Sequence, residues 1–258
     1  MPSGKAIGII GYGRMGKVLE KVLSAAGFQP VIIHDNRSVP PAISESVTGW
    51  IDFSEAAALP ASLTLALETR KPLVIGTTGW YDHLDPIAGQ VHQAQGKVLW
   101  GANFDLTMQL TFVLTDVAAR LLRNSPLQPR FHIHEIHHTG KKDAPSGTAL
   151  HLARIVRRHF PEYRQVEVNE GPPAPPHTNG PALPITYRRQ EGVFGIHELT
   201  IHTGEDTIRL SHTAHGREGF ARGALAAFLW LADQPPGFYS IDDYIRHTWL
   251  MPAGLSNA

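Results

Sequence analysis

The chain has 258 residues, 42% of them hydrophobic and 18% charged, which is long and apolar enough for two packed domains and excludes a disordered polymer. Its formal net charge is zero, which excludes a global basic field for nucleic acid or an anionic membrane and leaves only local basic pockets. It has no cysteine, so disulfides and thiolate metal sites are excluded and a reducing, cytoplasmic setting is expected.

Ala6–Ile10 reads as a buried strand, too short for a signal-peptide core, and three glycines follow it. Met15, Val18, Leu19, Val22, Leu23 and Ala26 then form one helical stripe that Gly27 stops. Further strands are expected at Pro30–His34, Trp50–Phe53, Leu73–Ile75 and Lys97–Trp100, with helices around Ser62–Thr69 and Asp85–Gln95. This alternation predicts an α/β fold with a Rossmann-like, doubly wound parallel sheet. After Asn103 the rhythm changes to a helix over Leu106–Leu122, an alternating strand over Phe131–Ile136 and a helix from near Ser146. Gly171–Pro184 holds six prolines in fourteen residues and reads as an exposed loop. Gly195–His202 and Thr207–His212 read as an antiparallel hairpin, and a helix over Phe220–Ala232 precedes a short tail. The apolar run at Gly223–Ala232 is about half a membrane span, so no membrane partner is expected. The change near residue 104 marks a boundary between a dinucleotide-binding domain, 1–104, and an α+β domain, 105–216.

Gly11-Tyr12-Gly13-Arg14-Met15-Gly16 matches the dinucleotide fingerprint. Its first glycine permits a tight turn, the second admits pyrophosphate and the third lets helix approach strand, while the helix N-terminus holds phosphate charge. Asp35, at the end of the second strand, is placed to accept hydrogen bonds from a ribose, or is a turn residue. Arg14 and Arg37 suit a 2′-phosphate, so NADH and NADPH both remain open. Gly76-Thr77-Thr78-Gly79 and Gly101-Ala102-Asn103-Phe104 leave strand ends on the same rim, where small residues let a nicotinamide approach backbone.

Glu135 to Ala149 gathers two adjacent imidazoles, His137 and His138, with Lys141, Lys142 and a helix start at Ser146-Gly147-Thr148. The free amides and hydroxyls of that turn suit a carboxylate, and His138 and Lys141 add donors, giving a pocket for a small dicarboxylate. His137 or Lys141 is available for proton transfer. His132, His134, His137 and His138 also invite a zinc reading, but 137 and 138 are expected beyond the strand end and no H-E-x-x-H is present, so no metal is expected.

The run E-x-H-H-x-x-K-x-D-A-P-S-G-T-A over Glu135–Ala149 resembles the signature of the dihydrodipicolinate reductase family at every fixed position. The likeness extends to the fingerprint, Asp52-Phe-Ser54, Gly76–Gly79, Ala102–Phe104, Gly195-x-His197 and the segment Arg217–Ala224, while Asp105-Leu-Thr107 departs from the usual Ser-x-Gly. The resemblance implies reduction of hydroxy-tetrahydrodipicolinate to tetrahydrodipicolinate with NADH or NADPH, in lysine and diaminopimelate biosynthesis. It implies His137 as proton donor/acceptor, Lys141 as proton donor, and His138, Gly147 and Thr148 as substrate contacts. It implies cofactor contacts near 10–15, at Asp35, and at 76–78 and 101–104. A homotetramer built through the second domain is implied too, with 217–258 completing the first domain. The alternatives are an amino-acid dehydrogenase of similar build and a non-catalytic NAD(P)H sensor.

Overall fold

The computed structural model describes residues 5–173, 180–204 and 206–252. In chain order the elements are β1 (Ala6–Ile10), α1 (Arg14–Ala25), β2 (Gln29–Ile33), α2 (Pro41–Ser46), β3 (Val47–Asp52), α3 (Leu59–Thr69), β4 (Leu73–Ile75), α4 (Leu84–Gln93) and β5 (Lys97–Trp100). Then come α5 (Leu106–Arg123), β6 (Arg130–His137), α6 (Gly147–His159), β7 (Gln165–Glu170), β8 (Ala182–Arg189), β9 (Gly195–His202), β10 (Thr207–Ala214), α7 (Glu218–Ala232), β11 (Gly237–Ser240) and α8 (Ile241–Ile245). These elements divide into two compact units, residues 5–106 with 217–252, and residues 107–216. No described helix is long and apolar enough to cross a membrane.

The first unit is built on a six-stranded sheet in the order β11-β5-β4-β3-β1-β2, parallel throughout. Its central strands are apolar without alternation because helices cover both faces, and β1 and β4 are buried at every residue. From β1 the chain winds outward first to β2 and then, in the other direction, to β3, β4 and β5. The switch point therefore lies between β1 and β3, where doubly wound sheets open a ligand crevice. The expected short tail is in part a strand. Gly237–Ser240 extends the sheet beside β5, a placement that rests on ladder pairing and not on any alternation in its sequence.

The second unit carries a mixed five-stranded sheet, β10-β9-β6-β8-β7. Phe131 and Ile133 of β6, Leu183 and Ile185 of β8, and Leu199 and Ile201 of β9 share one face. They pack with Leu152, Ile155 and Val156 of α6 and with Met108 and Phe112 of α5 in one core. The expected loop at 171–184 ends early, because β8 begins at Ala182; residues 174–179 of it lie outside the described residues. Pro184 is tolerated in that strand because pairing with β6 starts only at Ile185, so at the proline β7 alone is a neighbour. The alternating strand is also longer than expected, reaching His137.

Candidate active site

The residues singled out in the sequence fall into two sets, one in each unit. In the first unit Gly11, Asp35, Gly76 and Gly101 all sit just past the carboxyl ends of parallel strands. Gly11 has φ +86°, and a Cβ there would lie 2.6 Å from the backbone of Ser54, so only glycine fits this turn. A Cβ on Gly16 would lie 2.2 Å from the Gly11 carbonyl oxygen, whereas one on Gly13 would meet nothing within 4 Å. The middle glycine thus faces open space at the start of α1, whose N-cap receives no side-chain hydrogen bond. That combination, a bare helix N-terminus beside an open glycine, fits a pyrophosphate.

The flanking loops are tied together by Asp52. Its buried carboxylate accepts the Ser54 amide at 2.7 Å and the Thr77 hydroxyl at 3.0 Å. Thr77 and Phe104 are buried, and Phe104 lies edge-on to Phe53 with ring centroids 6.2 Å apart, so both shape the rim from beneath. Thr78 and Ala102 are exposed on it and Asn103 is half-buried. Tyr12 donates to Glu20. Asp35 accepts the Arg37 amide at 3.0 Å and pairs with its guanidinium at 3.3 Å, contacts that hold its carboxyl below the usual range. One exposed pair therefore offers both an acceptor for a ribose hydroxyl and a cation for a 2′-phosphate.

In the second unit, strand parity builds the site. Side chains two apart share a face, so the core-facing series Phe131, Ile133 continues as Glu135 and His137. Register then places His197 opposite Glu135 on β9 and Arg189 beside His137 on β8. Leu199 and Ile201 put His197 on the same face. The apolar core thus turns polar at one end of the sheet, where α6 begins. Glu135 is fully buried and accepts the Ser146 amide through both oxygens at 3.1 Å, and it lies 3.7 Å from His137 Nδ1, His197 Nε2 and Arg189 Nη1. Ser146 caps α6 by accepting the Ala149 amide, and its hydroxyl meets His197 Nε2 at 3.1 Å. With those groups engaged, the turn presents Gly147 and Thr148, and a Cβ on Gly147 would meet nothing within 4 Å. Lys141 Nζ lies 2.8 Å from both oxygens of Asp143, and half-buried His138 accepts the Lys141 amide through its carbonyl.

Burial, with Lys141 and Arg189 adding like charge, pushes His137 down to about 4 from an ordinary 6.5. Burial and then His137 push His197 down to about 3, and burial with His134 pushes His132 down to about 4. All three rings are neutral in the folded protein at neutral pH, whereas in an unfolded chain they take up protons below about 6.5. Their contribution to stability is thus complete above pH 6.5 and lost as pH falls toward 4 and 3. Melting temperature is expected to hold between pH 8 and 7 and then to fall, each ring costing about 1.4 kcal/mol per pH unit. Thermal melts followed by circular dichroism across pH 8 to 4 check this; a flat profile would contradict it.

The zinc reading needed His132 and His134 to converge with His137 and His138. Because β6 runs through His137, parity instead sends 132 and 134 to the opposite face, where both meet the Thr186 hydroxyl, at 2.9 and 2.7 Å. Glu135, His137 and His197 do bring ligand atoms within 4.8 Å of one another. However, the Arg189 guanidinium and the start of α6 already supply positive charge there, which opposes a cation. Glu135 enters the sequence reading only as the start of the signature and His197 only as part of the family likeness, with no role given to either, and Arg189 does not enter it at all. His197 was within reach, since G-I-H-E-L-T-I alternates in phase with Leu199 and Ile201. Arg189 had no such signal, because its strand follows a proline-rich run.

Residues 5–104 match the family described as dihydrodipicolinate reductase, N-terminus, and residues 107–245 the one described as dihydrodipicolinate reductase, C-terminus. A 4-hydroxy-tetrahydrodipicolinate reductase of Zymomonas mobilis subsp. mobilis is 34% identical over 255 residues, covering 93% of this chain and 96% of that protein. One from Campylobacter jejuni subsp. jejuni is 32% identical over 245 residues, covering 93% and 98%. The fold is shared with a dipicolinate-bound dihydrodipicolinate reductase from Paenisporosarcina sp. TG-14, at TM-score 0.71 and 18% identity over 93% of this chain and 99% of that one.

Proposed function

The chain belongs to the dihydrodipicolinate reductase family, and from that premise we propose that it reduces 4-hydroxy-tetrahydrodipicolinate to tetrahydrodipicolinate with NADH or NADPH. This is a step of lysine and diaminopimelate biosynthesis. The observation that carries the reading is the Glu135–Ala149 segment, which sets His137, Lys141 and the first turn of α6 around one end of one sheet. In this reading residues 1–104, completed by 217–258, bind the cofactor through Gly11–Gly16, Asp35, Arg37, Gly76–Thr78 and Gly101–Phe104. Residues 105–216 bind the dicarboxylate and carry the contacts of a cytoplasmic homotetramer.

The reduced nicotinamide, when bound, supplies a hydride. One substrate carboxylate lies at the N-terminus of α6 on Gly147 and Thr148, beside the capping Ser146, where amides and the helix dipole favour an anion. His138 and Lys141 offset the remaining negative charge. Loss of the substrate hydroxyl as water leaves a conjugated imine, whose C4 accepts the hydride, and the resulting enamine carbon takes a proton. At neutral pH His137 is uncharged in the free protein, so the Lys141 ammonium is the group with a proton to give. His137, beside it, then relays or accepts.

The test couples the purified protein to dihydrodipicolinate synthase, pyruvate and aspartate semialdehyde, and follows NADH and NADPH by absorbance. Oxidation that requires the synthase supports the reading; oxidation that requires ammonia instead points to an amino-acid dehydrogenase, and none at all to a sensor. Gly147→Ala probes the carboxylate contact. The added methyl meets no protein atom and alanine favours a helix, so melting temperature is expected to hold. The methyl projects into the open space assigned to the substrate, so KM is expected to rise about tenfold, or ~1.4 kcal/mol, with kcat nearly unchanged. Unaltered KM would remove the carboxylate from that turn.

A further inference from the structure

Lys141 sits on the loop between β6 and α6, and a loop that short of secondary structure needs an anchor if it is to hold an ammonium in one place. The anchor is on another strand. Arg189, the last residue of β8, donates from Nε to the Lys141 carbonyl at 3.2 Å and from Nη2 to the Asp143 carbonyl at 2.7 Å. Its Nη1 donates to the Arg188 carbonyl at 3.1 Å and lies 3.7 Å from the buried Glu135 carboxylate. The guanidinium also stacks over the Tyr187 ring, 4.9 Å from its centroid, and its side chain is only 15% exposed. A planar fork with five donors bonds the two loop carbonyls and the Arg188 carbonyl while its charge faces a carboxylate, which a single ammonium cannot do. Asp143, fixed by its own carbonyl, in turn receives Lys141 Nζ through both carboxylate oxygens.

We propose that Arg189 is a positioning residue that fixes the Lys141–Asp143 backbone to the Glu135 end of the sheet, so that its contribution to turnover passes through Lys141. The inference rests on the reading of Lys141 as proton donor. Misplacing a reacting group by about an ångström costs roughly 10²-fold in rate, so Arg189→Met is expected to lower kcat by about that factor. Arg189→Lys, which restores charge and one bond, should recover part of it. Binding of NADH, which belongs to the other unit, should not change.

The deciding measurement is a double-mutant cycle. If Arg189 acts through Lys141, then in a Lys141→Ala background Arg189→Met removes little further activity. Losses that multiply in full, or wild-type turnover by Arg189→Met, would overturn the proposal. Amide hydrogen exchange across residues 138–143 reads the anchoring without any substrate: faster exchange in both Arg189 variants supports it and unchanged exchange overturns it. Wild-type protein that exchanges as expected but fails to oxidise either cofactor in the coupled assay would count against the proposed function instead.

Discussion

Lys141→Ala is expected to lower kcat by roughly 10²–10⁴-fold, the range for loss of a general acid, while NADH and NADPH bind as in the wild type. The size of the effect follows from the electrostatics of its neighbour. His137 is buried on the core-facing side of β6 and held near 4, so at neutral pH it is a neutral imidazole whose remaining N–H is a poor acid. Lys141 is itself among the causes of that low value. The ammonium is already oriented by Asp143 at 2.8 Å, and its side chain is 21% exposed, enough to meet a small acid. Lys141→Arg separates proton donation from charge. The guanidinium keeps the positive charge and is expected still to attract a dicarboxylate, yet does not give up a proton in a protein. Turnover by the arginine variant should therefore stay near that of Lys141→Ala while dipicolinate binding, read by calorimetry, recovers. Turnover restored by arginine would leave Lys141 as a binding charge only, and the proton would have to come from elsewhere.

How much of this was legible in the sequence depends on whether a residue's surroundings are local. The turn Gly11–Gly16 was legible because strand, turn and helix are consecutive, and the steric demands on Gly11 and Gly16 come from Ser54 and from the turn itself. The start of α6 was legible for the same reason, since Ser146 caps its own helix. Strands with full apolar runs, such as β1 and β4, declared themselves by composition. What stayed hidden depends on register between distant segments. Glu135 gains its importance from facing His197, sixty-two residues later in number, and Arg189 across β8. The edge strands β7 and β11 were also missed, because β7 is polar and largely exposed and β11 is only four residues long, and both are strands because a neighbour offers a ladder. A one-residue shortening of β6 was the costliest misreading, since it moved His137 off the strand and hid its shared face with Glu135.

Glu135→Ala is expected to be the most destabilising single change in this region, at about 3–5 kcal/mol, the usual cost of breaking a buried ion pair from one side. The carboxylate has no exposed surface and no solvent to replace it. Removing it strips the buried Ser146 amide of both acceptor oxygens and leaves Arg189 with carbonyls alone. The cap of α6 loosens at the turn assigned to the substrate carboxylate. Glu135→Gln keeps one oxygen for the Ser146 amide but not the charge that faces Arg189, so about half of the loss is expected to return. Melting temperature should fall by roughly 10 °C for alanine and by less for glutamine. Because the glutamine variant keeps the cap but not the charge, its kcat reports the ion pair to Arg189 while its KM reports the helix start. A melting temperature for Glu135→Ala within about 2 °C of the wild type would mean that this carboxylate does not join strand, helix and Lys141 loop, and the geometry of the site would then need another support.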